Sequence, residues 1–315
     1  MEKKKTRIGV VGIGHLGNYH LQKYQKLDSC RITAVADTMI DRAKKAADIY
    51  QCASFADHGD MIGQVDAVSI AVPTGEHFCV ARDFLAAGID VLVEKPICLT
   101  LAQADLLIGL AQKKNLILQV GFVERFNPAV IALEKVIGRP MFIESHRLHP
   151  FFERGTDVDV ILDLMIHDLD IILKFVNSPL TSVEAVGIPV LSNKVDIANV
   201  RLSFASGCVA NITASRISAK TMQKIRFFGA EGYHSVDCQK REILSLGKRK
   251  NDAGQVEIFQ NNVEVGSHDP LEEEIRSFLN AVHNRVRPLI SGEDARKSLD
   301  LAIEIIRKMK TAEVI

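Results

Sequence analysis

The chain has 315 residues, enough for two domains or one large one. Hydrophobic residues make up 47% and charged residues 25%, and the formal net charge is zero, so nothing electrostatic favours nucleic acid or an anionic membrane as a partner. No apolar run is long enough to span a bilayer, and the basic residues 1–5 lead into no signal-peptide core. The six cysteines (Cys30, Cys52, Cys79, Cys98, Cys208 and Cys238) include no Cys-x-x-Cys pair, so reduced, buried thiols and a cytoplasmic location are expected.

Residues 7–11 are an apolar, β-rich run, and Gly12-Ile13-Gly14-His15-Leu16-Gly17 follows at once. A helix is predicted over 16–27 and a second strand over 31–36, closed by Asp37, 20 residues beyond Gly17. Strand, glycines, helix, strand and acid together form the dinucleotide-binding fingerprint. Each position has a physical reason. Gly12 permits the tight turn, Gly14 lets the backbone approach a pyrophosphate, Gly17 lets the helix pack on the strand, and the helix N-terminus faces the phosphate charge. Asp37 can accept hydrogen bonds from the adenosine ribose, and its charge would repel a 2′-phosphate, so NAD is expected over NADP. Arg42 and Lys44 read as a solvated helix face.

The alternation continues: strand 52–55, helix 57–63, strand 66–72, helix 76–87, strand 89–93, helix 101–113 and a sixth strand 116–121. Short links between alternating strands and helices mean a doubly wound parallel sheet, placing an NAD-binding domain at 1–122. In Val91-Leu92-Val93-Glu94-Lys95-Pro96 the proline stops the strand and holds Lys95 extended at its carboxyl end. That end of a parallel sheet faces the ligand crevice, so Lys95 points its ammonium at whatever is bound. Glu94, Pro73, Thr74 and His77 belong to the same edge and are assigned to the cofactor. His77 has two readings, a residue leaning over the nicotinamide ribose or a first-turn helix residue facing water. His20 is read as a helix-packing residue.

Beyond Gly121 the texture changes, and 123–315 is expected to be a second α/β domain for substrate binding and oligomerisation. Asn127 is a plausible N-cap and Pro128 suits the first position of a helix reaching about 137. Strands with the alternation of a large, mainly antiparallel open sheet are predicted at 141–148, 180–190, 197–205, 208–218, 224–229, 233–237 and 256–259. Residues 247–254 are charged and read as a loop, and helices are predicted over 270–284 and 292–311. An uncovered sheet face would favour a homodimer or homotetramer.

A further helix is predicted over 158–176, with Ile161, Leu164, Leu169 and Ile172 at helical spacing. Asp163, His167, Asp170 and Lys174 share another face; Asp170 and Lys174 read as an ordinary wet stripe. Asp163 one turn from His167 can orient the imidazole and raise its basicity. Two metal ligands without a clear third argue against a metal. Arg125, Arg147, His149 and Arg154 are candidates for holding a substrate diphosphate, Arg125 foremost because it lies just beyond the sixth strand.

The glycine fingerprint, Glu94-Lys95-Pro96 and Asp163-x-x-x-His167 together resemble the Gfo/Idh/MocA family of NAD(P)-dependent oxidoreductases over essentially the whole chain. The family pattern usually has a glycine midway between Asp and His, where this chain has Met165. The resemblance implies a Rossmann domain joined to an α/β domain whose open sheet mediates dimers or tetramers, with Lys95, Asp163 and His167 converging beside the nicotinamide. Val123-Glu124-Arg125-Phe126-Asn127-Pro128-Ala129 and Leu162-Asp163-Leu164-Met165-Ile166-His167-Asp168 look like the branch that oxidises the 3-hydroxyl of UDP-N-acetylglucosamine to a ketone. His167 is then the expected base and Lys95 the partner of the reacting oxygen, with the reverse assignment open. The alternatives are a dehydrogenase of inositol or a free sugar, a cofactor-binding regulator without turnover, and a reductase of a non-sugar substrate such as a linear tetrapyrrole.

Overall fold

The computed structural model describes residues 5–152, 158–252 and 254–311. The chain divides into two compact units. One runs to Val123 and takes in Leu271–Leu299; the other spans Glu124–Pro270 and resumes at Asp300.

In the first unit, strands β1 (Thr6–Val11), β2 (Cys30–Ala36), β3 (Ala53–Phe55), β4 (Ala67–Ile70), β5 (Asp90–Glu94) and β6 (Leu118–Gly121) form a parallel sheet in the order β3-β2-β1-β4-β5-β6. Helices α1 (His15–Tyr24), α2 (Ile40–Tyr50), α3 (His77–Ala86) and α4 (Leu101–Lys114) make four of the five crossovers, the β3–β4 link holding only a 3₁₀ turn. The order reverses between β1 and β4, the switch point at which doubly wound sheets bind ligands. β4, β5 and β6 are buried along their whole length, as strands covered on both faces must be.

The second unit opens with the short helix α5 (Pro128–Leu133), which Asn127 caps by accepting the Ala129 N–H at 3.1 Å, as its sequence predicts. Its sheet contains β7 (Pro140–Leu148), β8 (Leu180–Ile188), β9 (Ile197–Phe204), β10 (Val209–Ser215), β11 (Met222–Gly229), β12 (Gly232–Asp237), β13 (Glu242–Lys250), β14 (Val256–Asn261) and the two-residue β15 (Lys310–Thr311). The order is β14-β13-β12-β11-β7-β10-β9-β8-β15, antiparallel except where β7 meets β10 and β8 meets β15. A helical segment, Ile161–Met165 followed by α6 (Ile166–Phe175), packs against β10 and β7. Alternation decides the two faces. Ile143, Ser145, Ala210 and Ile212 are buried, whereas their neighbours Glu144, His146, Asn211 and Thr213 line an accessible polar face.

Several expectations are corrected. The expected second domain does not coincide with one unit, because helix α7 (Pro270–Asn284), from Leu271 on, and the first part of α8 (Gly292–Lys308), as far as Leu299, group with the first. Ile275, Phe278 and Leu279 of α7 join a core with Ile8, Leu21 and Leu92. Burying each such side chain stabilises by about 1.5–3 kcal/mol, which outweighs sequence order in deciding where the helix docks. The expected loop 247–254 is partly strand: β13 runs through Gly247 to Lys250, pairing Lys248 with Ile258 and Lys250 with Val256. These lysines are exposed on an outer hairpin, so their polarity hid the strand. The helix expected over 57–63 is one 3₁₀ turn, His58–Met61. That expected to reach 137 ends at Leu133, and that expected to reach 311 ends at Lys308.

Helix α4 begins directly beyond the Lys95–Pro96 turn and is fixed there by a capping box. Thr100 Oγ1 accepts the Gln103 N–H and Gln103 Oε1 accepts the Thr100 N–H, each at 3.3 Å. Thr100→Ala is expected to lower unfolding free energy by about 1 kcal/mol in urea titration, whereas Thr100→Ser retains most of it.

Candidate active site

The first unit builds a cradle at the end of β1. Gly12 has φ +86°, and a Cβ there would lie 2.6 Å from the Ala71 carbonyl oxygen. At Gly17 a Cβ would fall 1.9 Å from the Gly12 carbonyl oxygen, so only glycine lets α1 start this close to the strand. Around Gly14 a Cβ would meet nothing within 4 Å, and that open side is where a ligand can reach the backbone. No side chain caps α1 and no acid lies in its first turn, so its N–H groups face an incoming anion. His15 is exposed and Leu16 half-buried on that turn, while Ile13 is buried beneath it. Asn18, absent from the expected set, donates to the Gly14 carbonyl at 2.8 Å and holds the loop's shape.

Asp37 does more than its sequence position suggests. Its Oδ2 accepts the Ile13 N–H and its Oδ1 the Met39 N–H, both at 2.8 Å, so the carboxylate also locks the glycine loop. Arg42 and Lys44 are exposed, matching their reading as a solvated face. The open side of Gly14, the uncapped helix and Asp37 fit a dinucleotide.

Lys95 follows the end of β5 and is half-buried, beside a cis Lys95–Pro96 bond. Pro73 and Thr74 open a 3₁₀ turn beyond β4. His77 does not face water. It is 1% exposed, with Nδ1 2.7 Å from the Pro96 carbonyl oxygen and Nε2 3.0 Å from that of Val72. It therefore staples the loop after β4 to the loop after β5, holding the turn that follows Lys95. Burial pushes its pKa below the ordinary 6.5, although both carbonyls favour the charged ring. Glu94, expected at the cofactor, is buried and accepts from His20 Nε2 at 3.0 Å. His20 is fully buried, as expected of a packing residue.

In the second unit Asp163 lies in a π-turn, Ile161–Met165, and His167 in the first turn of α6; both are half-buried. The i→i+5 bonding of a π-turn widens the helix around Asp163, a change that hydrophobic spacing does not reveal. Asp168, directly after His167, is buried and grips Arg147 through two hydrogen bonds of 2.8 and 3.2 Å. Arg147 Nη1 reaches Glu124 at 2.9 Å, and Asn127 joins Glu124 to the Cys238 carbonyl. Burial alone would lower the Arg147 pKa, but Asp168 and Glu124 outweigh it and keep the guanidinium charged.

Arg147 is therefore a structural cation, which corrects its assignment to a diphosphate. Asp170 is 3% exposed and lies 3.4 Å from Arg125, so it does not belong to a wet stripe, whereas Lys174 pairs with Glu134 at the surface, in keeping with that reading. Arg125 and His149 remain half-buried, and Arg154 lies outside the described residues. His149 Nδ1 donates to the Pro150 carbonyl at 2.6 Å. All six cysteines are free, but Cys79 is exposed and Cys52 half-buried, so burial is not general among them. No described helix is long and apolar enough to cross a membrane.

The nucleotide cradle at the switch point and the sheet-bearing second unit define an NAD-binding oxidoreductase. The pattern of the oxidoreductase family with an NAD-binding Rossmann fold matches residues 6–122, and that of the GFO/IDH/MocA C-terminal domain matches residues 131–235. The chain belongs to the GFO/IDH/MocA family. It is 36% identical over 301 residues to a UDP-N-acetylglucosamine 3-dehydrogenase of Acidithiobacillus ferrooxidans, covering 95% of this chain and 96% of that one. A solved structure of that enzyme superposes with a TM-score of 0.90 at 34% identity, over 98% of each chain. A myo-inositol 2-dehydrogenase of Thermotoga maritima is 27% identical, over 98% of this chain and 99% of the relative.

Two outcomes test these structural roles. Arg147→Met leaves Asp168 and Glu124 buried without their cation and is expected to cost about 3–5 kcal/mol of stability in urea denaturation. A substrate-binding arginine would instead show an unchanged melting curve and a raised KM. For His77, a folded pKa below 6.5 means the unfolded chain takes up more protons as pH falls, so the stability present above 6.5 is lost toward lower pH. Wild type is expected to lose more unfolding free energy than His77→Gln between about pH 7.5 and about pH 5.5.

Proposed function

We propose that this oxidoreductase removes hydride from the 3-hydroxyl carbon of UDP-N-acetylglucosamine or a related nucleotide sugar, with NAD preferred over NADP. The observation that carries this reading is the 36% identity to the 3-dehydrogenase, sustained through both units. Asp37 supports NAD, because a carboxylate already held by two N–H groups would face a 2′-phosphate with like charge.

Bound NAD supplies the two-electron hydride acceptor. His167 takes the hydroxyl proton and Asp163 orients its ring; Lys95 hydrogen-bonds the reacting oxygen and stabilises the negative charge that develops there. Lys95 suits that role because it follows a fully buried strand and is held between Glu94 and Pro96. Arg125 and His149 are the proposed substrate contacts. The accessible polar face around Glu144, His146 and Arg201 is the surface on which copies of the chain associate into a dimer or tetramer.

The test is nicotinamide reduction with UDP-N-acetylglucosamine, free N-acetylglucosamine and myo-inositol, each with NAD and NADP. The expected result is turnover only with the UDP-sugar, and faster with NAD. Lys95→Ala and His167→Ala are each expected to cut turnover by about 10²–10⁴-fold with NAD affinity nearly intact. Turnover with the polyol alone would replace the substrate assignment, and near-normal turnover in both variants would overturn the site.

A further inference from the structure

Three polar side chains from distant parts of the sequence meet inside the first unit: His20 of α1, Glu94 of β5 and Glu274 of α7. Their exposures are 0%, 8% and 0%, and one donor atom from each lies within 4.8 Å of the other two. Among the described residues neither oxygen of Glu274 has a hydrogen-bond partner, nor has Nδ1 of His20. The packing leaves little room for escape. Gly121 is so close that a Cβ there would fall 2.9 Å from the Glu94 carboxyl atoms. Gln119 Nε2 holds the Glu274 main chain by donating to its carbonyl at 3.0 Å.

A buried carboxyl group without a partner is strongly unfavourable. A proton shared directly between the two glutamates would bring their oxygens to hydrogen-bond distance, yet the Glu274 oxygens reach no partner. The geometry asks for a species of atomic size among the three groups. One imidazole nitrogen and two carboxylates are a donor set for a first-row divalent ion, and two carboxylates match its charge.

We propose that His20, Glu94 and Glu274 bind a divalent cation of the zinc or manganese class, which ties α7 to the end of β5. Bonds to such an ion are about 2.0–2.2 Å long, so its ligand atoms lie about 3–4 Å apart. The three donor atoms, which lie within 4.8 Å of one another, close up to that spacing on binding. The site does not depend on the substrate assignment, since all three ligands belong to the nucleotide-binding unit.

The test uses the full chain, stripped with EDTA and reloaded separately with Zn²⁺ and Mn²⁺. Metal content is measured after desalting, and melting temperature is measured with and without metal. Wild type is expected to retain one metal ion per chain more than Glu274→Gln and to melt several degrees higher with that ion than in EDTA. Glu274→Gln should show no such shift while still binding NAD. Because the variant could misfold, Co²⁺-loaded wild type supplies a second reading, a visible ligand-field band that one equivalent of Zn²⁺ removes. Equal metal retention in both proteins with no thermal shift, or the absence of the cobalt band, overturns the proposal and leaves the cluster holding protons or water.

Discussion

The close approach of Gly17 to the Gly12 carbonyl is the constraint on which the first unit depends. A methyl group at that point would sit 1.9 Å from an oxygen, so the sequence can build this turn only with glycine. The contact sets the start of α1 against the end of β1, and Asp37 then takes the Ile13 N–H from the neighbouring strand. What remains unpaired is the helix N-terminus, the group that a dinucleotide's phosphates need. Cofactor recognition thus follows from a backbone packing requirement, with few side chains committed to it.

The second unit solves a different problem, that of holding a histidine by its neighbours. Asp168 and Asp170 both follow His167 on α6 and are fixed by Arg147 and Arg125. Glu124 and Asn127 extend this network to the end of β12 through the Cys238 carbonyl. Such buried ion pairs add little net stability compared with apolar packing, but removing one member is costly. Their use here is orientational: α6 cannot turn about its axis without breaking them. The segment from Glu124 to Asn127, which carries the narrower family likeness, serves in large part as this scaffold.

Much of this was legible in the sequence wherever the cause is local. Glycine placement, the Asn127 cap, the mostly apolar, fully buried β4 and β5, and the alternation of β7 and β10 each express a requirement met within a few residues. Features set by distant partners were not legible. Arg147 resembles a phosphate ligand until Asp168 closes on it, and His77 resembles a surface residue until the carbonyls of Val72 and Pro96 enclose it. The π-turn at Asp163 leaves no trace in apolar spacing, and β13 is concealed by its exposed lysines. The return of α7 to the first unit depends on a core that forms only in three dimensions.

The most direct test of the central claim is the fate of the hydrogen on carbon 3 of the sugar. UDP-N-acetylglucosamine deuterated at that carbon would be turned over with NAD, and the recovered reduced nicotinamide analysed by mass spectrometry. The account predicts one deuterium in the nicotinamide, and none when the label is moved to carbon 4. Reduced nicotinamide without deuterium from the carbon-3 label would contradict it.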